Sequence, residues 1–206
     1  MIKDSFLGRY PSHFHVNPLV KAYVISESFM WSAWNLIIPI FAVYITQEIA
    51  GGNVQSAAAG YSTYLISRVV FELLCGQYLR GSSDRRKIIV AVSGMLLLAV
   101  CYLGYAISED IPTLFAFYFL SGAGLGIAMP AKNALFSIHL DRNKEATEWS
   151  ISDACQFLSM GLATALGGFV AFEFGFQPLF ILASILTLIA ILPFLLLLKY
   201  RNVPRG

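Results

Sequence analysis

Six long apolar segments limit the fold of this chain more than any other feature. They lie near residues 19–46, 55–79, 88–107, 112–138, 150–173 and 178–198. A helix needs about 20 residues to cross a hydrocarbon core of about 30 Å, and each segment is at least that long. Because lipid offers no hydrogen bonds to the backbone, such segments must be helical. The sequence therefore predicts an all-α integral membrane protein, a six-transmembrane-helix bundle embedded in the lipid bilayer.

The basic residues predict how this bundle is oriented. Lys and Arg occur in the N-terminal tail, in the connections after the second and fourth segments, and in the C-terminal tail. The loops at 47–54, 108–111 and 173–177 contain none. Because Lys and Arg are retained on the cytoplasmic side, both termini are predicted to be cytoplasmic, in a plasma membrane such as the bacterial inner membrane.

The composition argues against several other classes of protein. Charged residues make up 13% of the chain, whereas soluble domains average about 25%. The cysteines Cys75, Cys101 and Cys155 lie far apart in predicted helices, which argues against a disulfide framework or a metal site. The net charge of +2 gives no support for nucleic-acid binding, and no nucleophile elbow or nucleotide-binding loop is present. We expect residues 1–206 to form one domain that is not an enzyme and binds no cofactor.

Ionisable residues inside the membrane segments are the first candidates for function. Each costs several kcal/mol at the bilayer centre, from about 2.5 upward, unless it is paired or faces water. Arg68 and Glu72 are four residues apart and share one helix face, and Glu27 lies at a depth similar to that of Glu72. We expect a Glu27–Arg68–Glu72 cluster that contacts substrate or a coupling proton, with Glu27 taking up the proton. The alternative is a structural ion pair that sets the helix register. Lys132 is expected to extend toward the lipid headgroups.

Polar and aromatic residues at helical spacing extend this cluster into a stripe. Such a stripe in an apolar bundle predicts the wall of a central cavity, with a lining that suits a zwitterionic, cationic or amphipathic solute. The alternative is that the aromatic residues belong to the core or to an interfacial belt. The predicted cavity-lining residues are Trp31, Trp34, Asn35, Tyr61, Tyr64, Gln156 and Thr164.

Small residues and one serine pair carry weaker predictions. Gly122 with Gly126, and Gly161 with Ala165, have the four-residue spacing that lets membrane helices approach closely. Ser150 and Asp153 fit a capping box at the start of the fifth helix.

An internal symmetry is indicated by two prolines. Pro39 lies about two thirds along the first helix and Pro130 about two thirds along the fourth, and these helices run in opposite directions. Helices one to three and four to six would then form a three-plus-three inverted repeat.

Three loosely matched motifs lie at Gly76–Lys87, 118–124 and 159–168, and in this order they resemble those of one half of a major facilitator superfamily transporter. The stretch from Gly76 to Lys87 resembles the signature after the second helix, although Arg80 stands where an acid is expected and Asp84 where a base is. Residues 118–124 and 159–168 resemble the motifs of the fourth and fifth helices, without the expected arginine and proline. The resemblance implies the inverted repeat, alternating access and a gating loop with the candidates Gly76, Arg80, Asp84, Arg85 and Arg86.

The length of the chain corresponds to one of the two halves that such a transporter needs. Exposing a charged stripe to lipid would be costly, and a second copy of the chain is the simplest cover. We therefore expect a homodimeric half-transporter for a small-molecule substrate, possessing two copies of each site. The alternatives are half of a split transporter with a different partner, and a non-transporting subunit or assembly factor.

Overall fold

Residues 17–198 are described by the computed structural model, and within them six long helical segments follow one another. The first segment consists of helix α1 (Pro18–Ile37), a 3₁₀ turn (Ile38–Ile40) and helix α2 (Phe41–Glu48). The other five segments are single helices: α3 (Val54–Tyr78), α4 (Asp84–Ala106), α5 (Ile111–Ile138), α6 (Glu145–Phe174) and α7 (Phe176–Leu197). The predicted all-α fold is confirmed. The basic residues of both predicted cytoplasmic tails lie outside the described residues.

The two prolines that indicated symmetry act differently on their helices. Pro39 lies in the 3₁₀ turn that separates α1 from α2, whereas Pro130 lies inside the continuous helix α5. Proline removes one backbone donor and clashes with the preceding turn, which accounts for the break at residues 38–40. The first predicted helix is therefore two helices joined by a tight turn.

Side chains cap the starts of four helices, and at the first of them, α1, the Asn17 side chain accepts the Leu19 N–H. Asn53 and Ser56 form a reciprocal capping box at the start of α3, and the Ser83 side chain accepts the Arg86 N–H at the start of α4. Asp110 accepts the Thr113 N–H at 2.8 Å at the start of α5, and this bond holds the pKa of its carboxyl below the usual value. Such caps satisfy backbone donors that the first turn leaves without partners.

The predicted capping box at the fifth long helix is wrong. Helix α6 begins at Glu145, so Ser150 and Asp153 lie within it. Glu145 and Glu148 occupy its first turn, where negative charge is favoured by the helix dipole. Apolar residues begin later in the sequence, which is why hydropathy placed the start too late.

The helices pack in a regular pattern of pairs. Helix α5 packs between α3 and α4, helix α1 packs against α6 and α7, and α4 packs against α7. A cluster of buried aromatic rings joins α2, α4, α5 and α7, comprising Phe41, Tyr44, Tyr105, Tyr118 and Phe180.

Glycines decide how closely two of these helices approach. A Cβ atom at Gly126 would lie 2.6 Å from the backbone oxygen of Arg68, and one at Gly122 would overlap the backbone oxygen of Tyr64. The predicted close approach through this pair is confirmed, between α5 and α3. Gly161 faces open space and Ala165 is exposed, so the second predicted pair is wrong. Gly167 makes the close contact of α6 instead, against the backbone of Leu36.

Five spans in the described part of the chain are long and apolar enough to cross a membrane. Helix α3 is not among them, although it has 25 residues. It carries Arg68, Glu72 and several hydroxyl side chains, which lower its hydropathy. The least apolar long helix is therefore the one that carries the Arg68–Glu72 part of the predicted stripe.

Candidate functional site

A buried ion pair links α1 to α5. The Lys132 ammonium lies 2.5 Å from Glu27 Oε1, and the two side chains are 0% and 1% exposed. The Trp31 indole N–H donates to the other carboxylate oxygen, Glu27 Oε2, at 2.6 Å. Each oxygen of this carboxylate therefore has its own partner.

Apolar and aromatic groups enclose the lysine side of this pair. The ammonium contacts Met30 Sδ at 3.5 Å and lies 5.9 and 5.6 Å from the ring centres of Tyr23 and Phe194. The Tyr23 hydroxyl donates to Asn133 Oδ1 at 3.0 Å. The enclosure separates both charges from solvent and from lipid.

These contacts correct two predictions. Lys132 does not extend to the headgroups, because its side chain is fully buried against Glu27. The Glu27–Arg68–Glu72 cluster does not form, because the partners of Glu27 are Lys132 and Trp31. The role of Glu27 as the residue that takes up a proton stays a prediction.

The second ion pair lies on an open face of α3. Arg68 Nε donates to Glu72 Oε2 at 3.3 Å, within a single helix face. The two side chains are 27% and 40% exposed. The predicted Arg68–Glu72 proximity is therefore confirmed. Part of each side chain is accessible from outside the bundle.

A stack of aromatic rings adjoins this open pair. Trp34 of α1 stacks on Tyr64 of α3 at 4.8 Å between ring centres, and Tyr64 stacks on Tyr61 at 5.6 Å. Tyr64 and Arg68 are four residues apart on α3 and therefore share one helix face. Tyr61 is 39% exposed and Tyr64 only 1% exposed, so the outer end of the stack is open and its centre is closed.

Of the polar residues predicted on the first and fifth helices, Asn35 and Thr164 meet where α1 packs against α6. Asn35 donates its side-chain amide to the Trp31 oxygen, and its own backbone oxygen accepts from Thr164 at 3.5 Å. Gln156 donates to Ser152 at 2.8 Å. Asn35, Gln156 and Thr164 therefore each have a hydrogen-bond partner within the chain.

The gating-loop candidates lie in the last turn of α3, in the connection that follows it and in the first turn of α4. Asp84 Oδ1 is 3.5 Å from the Lys87 ammonium, and Asp84 Oδ2 is 3.4 Å from Nε2 of the buried His139 at the end of α5. Arg86 lies over the Tyr78 ring at 5.9 Å. The other three candidates, Gly76, Arg80 and Arg85, are exposed. The loop thus contacts α5 through Asp84.

Sequence reasoning missed Lys132 as the partner of Glu27. The residues lie on different helices and share no motif or spacing. The available signal was chemical, because a lysine in an apolar helix and a glutamate in another at similar depth reduce each other's burial cost. His139 was missed as a partner of Asp84 for the same reason.

Residues 23–206 match the family model described as Major Facilitator Superfamily. Two curated relatives are similar to parts of the chain, each named 4-hydroxybenzoate transporter PcaK. The protein from Acinetobacter baylyi (strain ATCC 33305 / BD413 / ADP1) is 34% identical over 147 residues, which is 68% of this chain and 29% of that protein. The protein from Pseudomonas aeruginosa, strain PAO1, is 31% identical over 105 residues, 49% of this chain and 22% of that protein.

Two solved structures share the fold. The POT family transporter PepTSo superposes with a TM-score of 0.75 at 16% identity, and an auto-inhibited POT family peptide transporter with 0.69 at 18% identity. Each match covers 91% of this chain and 39% of the solved chain. The chain therefore spans well under half the length of the relatives and solved proteins that it matches.

Proposed function

The chain belongs to the major facilitator superfamily, and from this premise we propose that it functions as a membrane transporter of small solutes by alternating access. The observation that carries the proposal is the open Arg68–Glu72 pair on α3. Ionised groups inside a membrane span are costly, and they mark substrate or ion pathways. A pair that is partly exposed midway along a membrane helix is suited to contact a solute.

The proposed substrate class is a small aromatic carboxylate. Two relatives are named as transporters of 4-hydroxybenzoate. The Arg68 guanidinium offers a planar set of donors that matches a carboxylate. The exposed Tyr61 ring, about two turns along α3, offers a surface for an aromatic ring. Arg68 would bind the acid group, and the exposed Tyr61 ring at the outer end of the stack would contact the aromatic ring.

A second six-helix unit would cover the open face. In a homodimer, which is the arrangement that we propose first, α3 of one copy and its symmetry mate line a shared path about a two-fold axis along the membrane normal. The alternatives are a different six-helix partner, which completes one path with a single Arg68–Glu72 pair, and a non-transporting subunit or assembly factor.

An inverted repeat would underlie the rocking motion of alternating access. The helix contacts support it, because exchanging the first three long segments for the last three maps the pair α1–α6 onto α5–α3 and the pair α1–α7 onto α5–α4. The contact α4–α7 maps onto itself. We further propose that residues 1–206 form one such domain, in a bacterial inner membrane with both termini cytoplasmic.

The stoichiometry of the chain in lipid nanodiscs tests the homodimer. Native mass spectrometry is expected to give two copies per particle. A stable single copy would exclude the homodimer and would favour a different partner or a non-transport role.

Uptake into proteoliposomes tests transport. Radiolabelled 4-hydroxybenzoate is expected to enter in a saturable way, and Arg68→Gln is expected to abolish this uptake. Arg142→Gln is the matched control, because Arg142 is exposed on the connection between α5 and α6. Equal uptake by the Arg68→Gln variant and the native chain would contradict the proposed site.

A further inference from the structure

A groove lies over α5, between α3 and α4. Both of these helices pack on α5, but they make almost no contact with each other, so a strip of α5 is left uncovered between them. The groove has a volume of about 300 Å³, and Ile127 of α5 lies at its floor. We call it the α3–α4 groove, and its walls are formed by Phe71, Leu74, Cys75 and Tyr78 of α3 and by Val90 and Ser93 of α4.

The lining of the α3–α4 groove is apolar at the depth of the membrane. Cys75 Sγ donates to the Ile127 backbone oxygen at 3.3 Å, and the Ser93 hydroxyl donates to the Val90 backbone oxygen at 2.8 Å. Both polar groups are therefore satisfied within the bundle. The α3 wall extends over about two helical turns, or roughly 10 Å along the helix axis. Such a surface matches an extended hydrocarbon chain, which needs no hydrogen bonds.

One arginine lies at the end of the groove where α3 ends and α4 begins. The Arg86 guanidinium is 5.9 Å from the centre of the Tyr78 ring, which belongs to the α3 wall. Arg86 also precedes Val90 by four residues, so it lies on the same face of α4 as the groove wall. Arg86 therefore connects the two walls at this end, and its positive charge lies next to an apolar surface.

The other charges at this end favour a headgroup that is anionic and carries no amine. Arg80 and Arg85 are exposed there. Within the described part of the chain, neither of them nor Arg86 forms an ion pair. The carboxylate of Asp84 already lies 3.5 Å from the Lys87 ammonium. Three guanidiniums are thus available to a phosphate, whereas the carboxylate that could bind a headgroup amine has a partner.

We propose that the α3–α4 groove binds an anionic phospholipid of the phosphatidylglycerol type, with one acyl chain over Ile127 and the phosphate on Arg86. The planar donors of a guanidinium match two phosphate oxygens, and the contact with the Tyr78 ring holds the guanidinium at the end of the groove. Basic pockets between membrane helices recognise anionic headgroups in this way. Arg68 and Glu72 are not among the lining residues, so the proposal does not depend on the transported substrate.

Lipid competition followed by native mass spectrometry tests the headgroup contact. The full chain in detergent is incubated with equal amounts of phosphatidylglycerol and phosphatidylcholine that have identical acyl chains. One phosphatidylglycerol per copy is expected to be retained in preference to phosphatidylcholine. Arg86→Gln is expected to lower this preference by about fivefold, the effect of one basic residue beside an anionic headgroup. Arg142→Gln is the matched control, because Arg142 is exposed on the connection between α5 and α6, and it should keep the preference.

A second pair of variants tests the groove itself. Ser93→Trp places an indole ring in the groove and is expected to abolish lipid retention while all three arginines remain. Val100→Trp adds the same ring at an exposed position of α4 outside the groove lining and is expected to retain lipid normally. Inorganic phosphate, which has no acyl chain, is expected not to displace the phospholipid. Arg86→Lys keeps the charge and is expected to keep most of the preference, which preserves the headgroup test if Arg86→Gln fails to fold.

Photolabelling locates the bound lipid and does not depend on any variant. A phosphatidylglycerol with a photoreactive group in its acyl chain is incorporated into nanodiscs with the native chain. Peptides from residues 71–93 are expected to carry the label, and addition of unlabelled phosphatidylglycerol is expected to reduce it. Labelling spread evenly over the exposed helix faces would contradict a defined site.

Four other results would overturn the proposal. Equal retention of the two lipids by the native chain would exclude recognition of the headgroup. The same loss of preference in Arg142→Gln as in Arg86→Gln would reduce it to a general attraction between basic residues and anionic lipid. Normal retention by Ser93→Trp would exclude the groove. A particle of two copies without bound phospholipid would show that a second copy of the chain covers the groove instead.

Discussion

Two carboxylates of this bundle, Glu27 and Glu72, bind basic partners in opposite environments. The Glu27–Lys132 pair joins two helices and is almost completely buried. The Arg68–Glu72 pair lies within one helix and is partly exposed. Breaking a buried pair leaves an uncompensated charge, whereas an exposed pair can exchange its partner at little cost. The first arrangement is suited to hold the bundle together and the second to bind a ligand.

The largest expected effect comes from breaking the buried pair. Lys132→Met keeps an unbranched side chain but leaves Glu27 buried without a counter-ion, which is expected to lower the free energy of unfolding by about 3–5 kcal/mol. Denaturant unfolding in detergent micelles measures it. The double variant with Glu27→Gln is expected to recover much of the loss, and Lys21→Met, at an exposed lysine of α1, should change little. A loss below about 1 kcal/mol in Lys132→Met would show that the pair is not structural.

The second prediction compares the packed and open helix faces. Gly126→Ala places a Cβ atom against the Arg68 backbone oxygen, and overpacking of this kind costs about 1–3 kcal/mol. Gly161→Ala makes the same change in open space and is expected to be neutral or stabilising by up to about 1 kcal/mol. Thermal unfolding of both variants gives the comparison. Equal effects would show that α3 and α5 can move apart freely.

The third prediction concerns the hydrogen bond that completes the buried pair. Trp31→Phe removes the N–H that donates to Glu27 Oε2. Hydrogen bonds to charged groups contribute about 1.5–3 kcal/mol, and because Trp31 is partly exposed we expect a loss of about 1.5 kcal/mol. Trp34→Phe is the matched control, since among the described contacts its indole makes a ring stack with Tyr64. A larger loss in the control would contradict the assigned role of the Trp31 donor.

The smallest expected effect comes from the open pair. Glu72→Gln removes the ion pair with Arg68, and exposed pairs at this helical spacing contribute about 0.3–0.5 kcal/mol. The free energy of unfolding should therefore change by no more than about 0.5 kcal/mol. A destabilisation comparable to that of Lys132→Met would show that both pairs are structural.

Much of the fold could be predicted because its main determinants are local. Runs of apolar residues long enough to span a bilayer gave the order and approximate bounds of the helices. The errors also have local causes. The start of α6 was placed too late because its first turn contains acidic residues, which lower the hydropathy there, although the helix dipole stabilises them. The turn at Pro39 was treated as part of one helix.

For the candidate site, the sequence predicted a contact between two residues of one helix but not the contacts between helices. Arg68 and Glu72 were expected to meet because four residues make slightly more than one helical turn, and they do. Glu27 was assigned to the wrong partners because its true partner lies on a distant helix. Gly122 and Gly161 have similar spacing patterns, yet one makes a close contact and the other faces open space. Spacing identifies a small-residue face without showing which helix covers it.

The sequence by itself determined that the chain enters a membrane, how many long helices it forms and which residues share a helix face. These properties depend on the length of apolar segments and on helical periodicity, and both can be read from residues that are close together in the sequence. The tertiary structure decided that Lys132 neutralises Glu27 and that Arg68 and Glu72 stay open. A residue's partner on another helix depends on how the two helices are rotated and offset, and that is set by the packing of the whole bundle.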